Sequence, residues 1–219
     1  MHVSRLHTIL ADVQDIAAHF GVDPVPQVEH SEEMIEGNRG LVVRESHGRR
    51  VLQTMTWGFP RQTQEMRDHG EPVGRIGLVA DLTNPLWEGT VVDPRYRCLI
   101  VLTHFANPDG QQGARTRTWY SLKDQPIMAW AGFCRNTPEF GPVYAGMTME
   151  ANEAVAETNE RMPVLLSPAE YDIWLHGTIR DVIGFQFRPP ASAEGIQVIR
   201  TDDLWRSGEV PRQTGLIFE

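Results

Sequence analysis

Only two of the 219 residues are cysteine, Cys98 and Cys134, and only one is lysine, Lys123. The cysteines stand far apart and form no Cys-x-x-Cys pair, which argues against a disulfide framework and against a cysteine-based zinc site. They read instead as small buried apolar side chains. No apolar run approaches the roughly 18 residues needed to span a bilayer, and the opening segment MHVSRLHTIL lacks the long apolar stretch of a secretory signal. A cytoplasmic protein with no membrane partner is therefore expected. The GxSxG elbow, the GxxxxGK[ST] phosphate loop, HExxH and GxGxxG are all missing. The eight histidines, at positions 2, 7, 19, 30, 47, 69, 104 and 176, have no metal-ligand spacing. No metal and no cofactor are expected.

What is present is an ordinary globular composition, 41% apolar and 22% charged. The chain is long enough to bury a full core without staples, and it shows no repeat, low-complexity tract or composition break, so one domain over residues 1–219 is the simplest account. A net charge of −9 argues against non-specific coating of duplex DNA. The charge is nevertheless segregated. Residues 39–67 carry six arginines against Glu45 and Glu65, and residues 95–123 carry four arginines and Lys123 against Asp109. These blocks are either solvated surface or the walls of a local groove. Glu150, Glu153, Glu157 and Glu160, at helical spacing, read as a solvated helix face rather than a carboxylate site.

Periodicity predicts an amphipathic helix over 8–20, ended by Gly21. Residues 41–44 and 50–56 around His47-Gly48 predict a hairpin. The polar segment 61–72 reads as a loop, and 73–79, 98–105, 117–122, 127–133 and 143–148 as strands. A short helix is expected over 151–161. A second helix follows in SPAEYDIWLHG, where Ser167 is a fitting N-cap, Glu170 completes a capping box and Gly177 ends it. Strands are expected again at 182–187 and 196–199. Strands outnumber helices at hairpin spacing, which points to an α+β fold with a mixed, mostly antiparallel sheet.

Two segments stand out chemically. Trp57-Gly58-Phe59-Pro60 places an aromatic, a glycine and a proline at a strand end, where a base can stack on Trp57 or Trp57 can be a core residue at a turn. Arg161-Met162-Pro163 sets an arginine beside a sharp step after a helix, suited to a phosphate or to a local carboxylate.

Taken in order, TWGFP, LVADLTNPLW, RCLIVLTHFANP, AWAGF and MTMEANEAVAETNERMPVLL resemble the SOS-response-associated peptidase family, which acts on abasic sites in single-stranded DNA. The resemblance covers residues 1–176; 177–219 have no match and read as C-terminal strands and tail. It implies a barrel-like core with flanking helices, single-stranded or damaged DNA as partner, and a role in the SOS response to DNA damage. It also implies an N-terminal cysteine, an acid/base glutamate and a histidine. This chain has His2, Asn107 and Asn159 at those positions, and Leu78 and Ala80 at those of the family's Asn-x-Arg segment. A small shift of that alignment brings Asp81 or Asn84 into play. An asparagine does not exchange protons at neutral pH, and acid/base groups typically supply about 10²- to 10⁴-fold each. A catalytically degenerate member is therefore expected, one that binds DNA non-covalently through Trp57, Gly58, Phe59, Pro60, Asn152, Arg161, Met162 and Pro163. Two alternatives stay open: an active enzyme using non-standard groups such as His2 or the Met1 amine, and a protein-interaction module that contacts no DNA.

Overall fold

The computed structural model describes residues 5–211. Its strands are β1 (Leu6–Thr8), β2 (Glu33–Met34), β3 (Arg39–Ser46), β4 (Arg49–Trp57), β5 (Phe59–Arg61), β6 (Gly74–Ile76), β7 (Leu78–Val79), β8 (Arg97–Leu102), β9 (His104–Asp109), β10 (Thr116–Leu122), β11 (Met128–Thr137), β12 (Gly141–Glu150), β13 (Arg161–Pro163), β14 (Leu165–Leu166) and β15 (Ile196–Leu204). The α-helices are α1 (Val13–Phe20), α2 (Gln64–Asp68), α3 (Glu88–Val91), α4 (Glu153–Ala156), α5 (Tyr171–His176) and α6 (Ile179–Phe187). The fold is α+β, as the strand spacing predicts. No described helix is long and apolar enough to cross a membrane.

Five strands close on themselves in the order β12-β4-β3-β8-β11 and back to β12. The β3–β4 hairpin turns through His47 and Gly48, whose φ values of 53° and 72° suit the tight turn that matches strand twist. The remaining contacts of the ring are antiparallel except one. β4 meets β12 in parallel, with Val143 opposite Thr56 and Tyr144 opposite Trp57. Inside, Trp57 and Trp130 meet edge to face at 5.8 Å, and the Trp57 and Tyr144 rings lie nearly parallel at 6.3 Å. Each indole donates to a backbone carbonyl, Trp57 to Gly77 at 2.8 Å and Trp130 to Met147 at 2.6 Å. Gly77 and Gly146 lie against these rings, and a Cβ at either would overlap the indole.

A second, five-stranded sheet runs β15-β10-β9-β1-β2. Alternation gives it two different faces. Phe105 and Tyr120 turn toward the main core, whereas Leu6, Ala106 and Trp119 pack with Trp205 in a separate small cluster on the other side. His7 of β1 joins the two sheets. Its ring lies 4.8 Å from Trp57 and 5.7 Å from Trp130, and its Nε2 is 3.2 Å from the Tyr144 hydroxyl.

Several local expectations give way to longer-range contacts. The helix expected over 8–20 begins only at Val13, because Leu6–Thr8 pairs with both β2 and β9. The 61–72 loop contains α2, capped by Thr63. The run 73–79 breaks at Gly77, where the Trp57 indole enters, and the run 98–105 breaks at Thr103 to serve two sheets. The helix expected over 151–161 is only Glu153–Ala156, and Arg161 opens β13. Residues 182–187 are not a strand. They complete α6, whose start is fixed by the reciprocal Thr178–Asp181 capping box.

Candidate functional site

Asn107 and Asn159, fifty-odd residues apart in sequence, are brought to one place by β9 and by the turn between α4 and β13. Asn107 is 1% exposed. Its Nδ2 donates to Thr158 Oγ1 at 3.2 Å, while its Oδ1 has no partner among the described residues. The Tyr120 hydroxyl, from the neighbouring strand, lies 2.7 Å from the same Thr158 oxygen. Asn159 Oδ1 accepts from Arg5 Nη2 at 2.8 Å and from the Arg161 amide at 2.9 Å. Arg5 Nη2 also donates to the Arg161 carbonyl at 2.6 Å, and Arg5 Nη1 is buried without a partner among the described residues.

Arg161 extends the cluster toward β12 and the 78–80 segment. Its Nε donates to Thr148 Oγ1 at 2.9 Å, and its Nη2 to the Thr148 carbonyl at 2.6 Å and the Ala80 carbonyl at 3.3 Å. Gln186 of α6 binds the same two carbonyls at 3.0 Å. Ala80 thus reaches the cluster through its backbone carbonyl. Asp81 and Asn84 serve locally instead: Asp81 accepts from Thr83, and Asn84 caps the turn over 85–87.

Among the described residues the cluster carries two arginines and no histidine or carboxylate of its own, while Asp109, Glu157 and Arg200 act on Tyr120 from nearby. Burial, with the Arg161 charge second, lowers the Arg5 guanidinium to about 10, which leaves it charged at neutral pH. Burial raises the Tyr120 hydroxyl above its ordinary value of 10.0. Two asparagines, a threonine, a neutral tyrosine and two arginines can hydrogen-bond and neutralise charge, but none is poised to give or take a proton near pH 7. His2 lies outside the described residues. No group of three or more His, Cys, Asp or Glu side chains suited to a metal is found among those described.

The expected stacking surface is not there. Trp57 is 1% exposed and both its ring faces belong to the barrel interior, so a base has no access to it. Gly58 takes φ 112° and its carbonyl accepts from Arg75 at 3.2 Å. Phe59 is buried against Trp87 at 5.3 Å, and Pro60 is half-buried in the β5–β6 ribbon. Met162 and Pro163 are buried where β13 pairs with β12. Asn152 is the N-cap of α4, its Oδ1 accepting from Val155 at 3.0 Å and its Nδ2 donating to Ala191 at 2.8 Å. These residues build the frame of the site rather than its surface. Arg161 is half-buried and bound to backbone on both sides. Arg5, Tyr120, Thr148 and Thr158 were not singled out from sequence. Pairing of β9 with β1 and β10 brings Arg5 and Tyr120 to the Asn107 side, Thr158 comes from the turn after α4, and Thr148 comes from β12 through Arg161.

The family model for SOS response associated peptidase (SRAP) matches residues 4–199. No protein of curated function matches the sequence. Among solved structures, a Bordetella bronchiseptica protein superposes with a TM-score of 0.73 at 19% identity, over 90% of this chain and 99% of its own. A Bacteroides thetaiotaomicron protein gives 0.69 at 16% identity, over 89% and 90%. A phage-related protein from Bordetella bronchiseptica gives 0.67 at 13%, over 94% and 100%. These likenesses carry the fold, and the family match carries the membership: this chain belongs to the SOS response associated peptidase family.

Proposed function

We propose that the chain binds single-stranded DNA, including strands with an abasic site, without forming a covalent link to it. The observation that carries this reading is the make-up of the Asn107–Asn159 cluster. The positions where the family resemblance implies an acid/base glutamate and a histidine hold two amides, Asn159 held by Arg5 and the Arg161 amide and Asn107 by Thr158. A buried guanidinium nitrogen and a buried amide oxygen that find no partner among the described residues cost free energy unless another group, a ligand or water meets them. One is a charged donor and the other an acceptor, a pair suited to a phosphate or sugar oxygen beside a hydroxyl or base N–H; both are enclosed, so this reading requires the cluster to open toward the strand.

The test is fluorescence anisotropy of a labelled single-stranded oligonucleotide carrying one abasic site, repeated at two salt concentrations and again after adding SDS. A salt-sensitive rise that SDS abolishes is the expected result. A rise that survives SDS means covalent chemistry, and the catalytically degenerate reading falls. Arg5→Ala should weaken binding by about 1.5–3 kcal/mol and flatten the salt dependence, as loss of a charged hydrogen-bond donor does. The acidic net charge favours a second reading, a protein partner. So does the internal use of Arg97 and Arg117, which bind Trp174, Gly177 and Glu33 rather than facing solvent. No rise in anisotropy at low salt selects that reading.

A further inference from the structure

On the face of the second sheet that turns away from Asn107 lies a half-open cavity of about 530 Å³. Leu6 and Ile35 line it on one side, and Leu204 and Trp205 on another. Arg115 and Arg206 stand at its rim, both exposed, and neither has an ion-pair partner among the described residues. The walls are fixed. Arg117 is 2% exposed and spends its guanidinium on this architecture, donating from Nε to the Trp205 carbonyl at 3.2 Å, from Nη1 to the Glu209 carbonyl at 3.1 Å, and from both Nη atoms to Glu33. The Trp205 amide donates to the Arg115 carbonyl at 2.8 Å, which ties the 204–207 turn to the start of β10. Beneath Leu6 and Trp205, in the same apolar cluster, the buried Trp119 indole N–H has no partner among the described residues.

A cavity of this size with an apolar floor and a few convergent polar groups is the usual form of a small-molecule site. Among the described lining residues, three arginines stand against one acid, Glu33, a local positive charge in a protein whose net charge is −9. Arg117 is neutralised by Glu33, so the free charge is that of Arg115 and Arg206. Two guanidinium groups at the mouth of an apolar pocket match a carboxylate carried on an apolar body, the head held by charge-assisted hydrogen bonds and the body desolvated against Leu6, Ile35 and Trp205.

We infer that this cavity is a binding site for a small amphipathic carboxylate, separate from the DNA site proposed above and independent of it. Trp205 lines the cavity and reports occupancy through its fluorescence.

The experiment uses the full chain. Decanoate is titrated with tryptophan fluorescence and calorimetry as readouts, with decanol as the uncharged match. The expected result is one site per chain for decanoate, about tenfold or more tighter than decanol, with that advantage removed in the Arg115→Ala/Arg206→Ala double variant. Both arginines are exposed, so the variant should keep its thermal midpoint. Ser207→Trp, which places a large ring at the cavity wall, should weaken decanoate and decanol alike. The inference is overturned if decanoate does not bind, if it binds no better than decanol, or if the double variant and Ser207→Trp both bind it as wild type does. Abasic-oligonucleotide binding should be the same in the presence and absence of decanoate. Competition between them would mean one site rather than two and would overturn the separation claimed here.

Discussion

The barrel interior and the Asn107 cluster are built from neighbouring strands, yet they treat buried polar groups differently. In the barrel, the Trp57 and Trp130 indoles each reach a carbonyl and Gly77 and Gly146 give up their side chains to make room, leaving His7 Nδ1, where the two sheets join, as the unmatched polar atom of that region among the described residues. In the cluster, Arg5 Nη1 and Asn107 Oδ1 are enclosed and unmatched among the described residues. Well-packed, satisfied interiors contribute stability. Unsatisfied polar groups held in place diminish it. The comparison separates residues that a sequence motif runs together. Trp57 belongs to the first region and Arg5 to the second, although a stacking surface was expected at the former.

The largest effect should come from the barrel. Trp130→Ala removes a ring that is 1% exposed and should cost about 3–5 kcal/mol in denaturant unfolding, while the remaining folded protein keeps its DNA affinity. A variant of normal stability would break the comparison at its root.

Acid should act on the same region. Burial lowers His7 from 6.5 to about 3, so the folded state holds it neutral while the unfolded chain takes up a proton below pH 6.5. Its contribution is complete above pH 6.5 and is lost as pH falls from there toward 3, at about 1.4 kcal/mol per unit, or roughly 3 kcal/mol by pH 4. His104, lowered by burial to about 4, acts in the same direction. Unfolding free energies at pH 7, 5.5 and 4.5 should fall accordingly, and His7→Gln should flatten much of that slope. An unaltered slope in the variant would assign the titration to another group.

Smaller changes sharpen the boundary between frame and site. Asn152→Ala loses the cap of α4 and its bond to Ala191, and should cost about 1–2 kcal/mol in stability with oligonucleotide affinity unchanged. Weaker binding by a fully stable variant would return Asn152 to the interface. The mildest is Pro60→Ala, in the half-buried β5–β6 ribbon, expected to stay within about 0.5 kcal/mol of wild type in both stability and binding.

What was legible in the sequence follows the range of the forces involved. The His47-Gly48 turn, the Gly21 stop and the Ser167–Glu170 capping box depend on a few adjacent residues, and each is where the local pattern puts it. The run 182–187 misled because an apolar stretch suits a buried strand and a buried helix equally, and the decision lay with Thr178 and Asp181 upstream. Leu6–Thr8 became a strand only because β9 and β2 are there to pair with it. Asn107 and Asn159 were found through the family resemblance, and the structure brings both into one cluster. Arg5 carried no local signal, because its importance comes from a hydrogen bond to Asn159 at the other end of the chain.

The parallel contact between β4 and β12 bears on how the molecule comes to exist. The β3–β4 hairpin needs only its own turn and can form early, but the ring stays an open ribbon until Tyr144 arrives beside Trp57. That closure brings together strands separated by most of the barrel's sequence, and its loop entropy must be met before any of its hydrogen bonds are gained. Until that moment the edges of β4 and β12 are exposed and able to pair with another chain. A nascent polypeptide released before residue 150 would therefore carry a finished hairpin and no barrel, and the final tightening of the tryptophan core would belong to the last step of folding rather than the first.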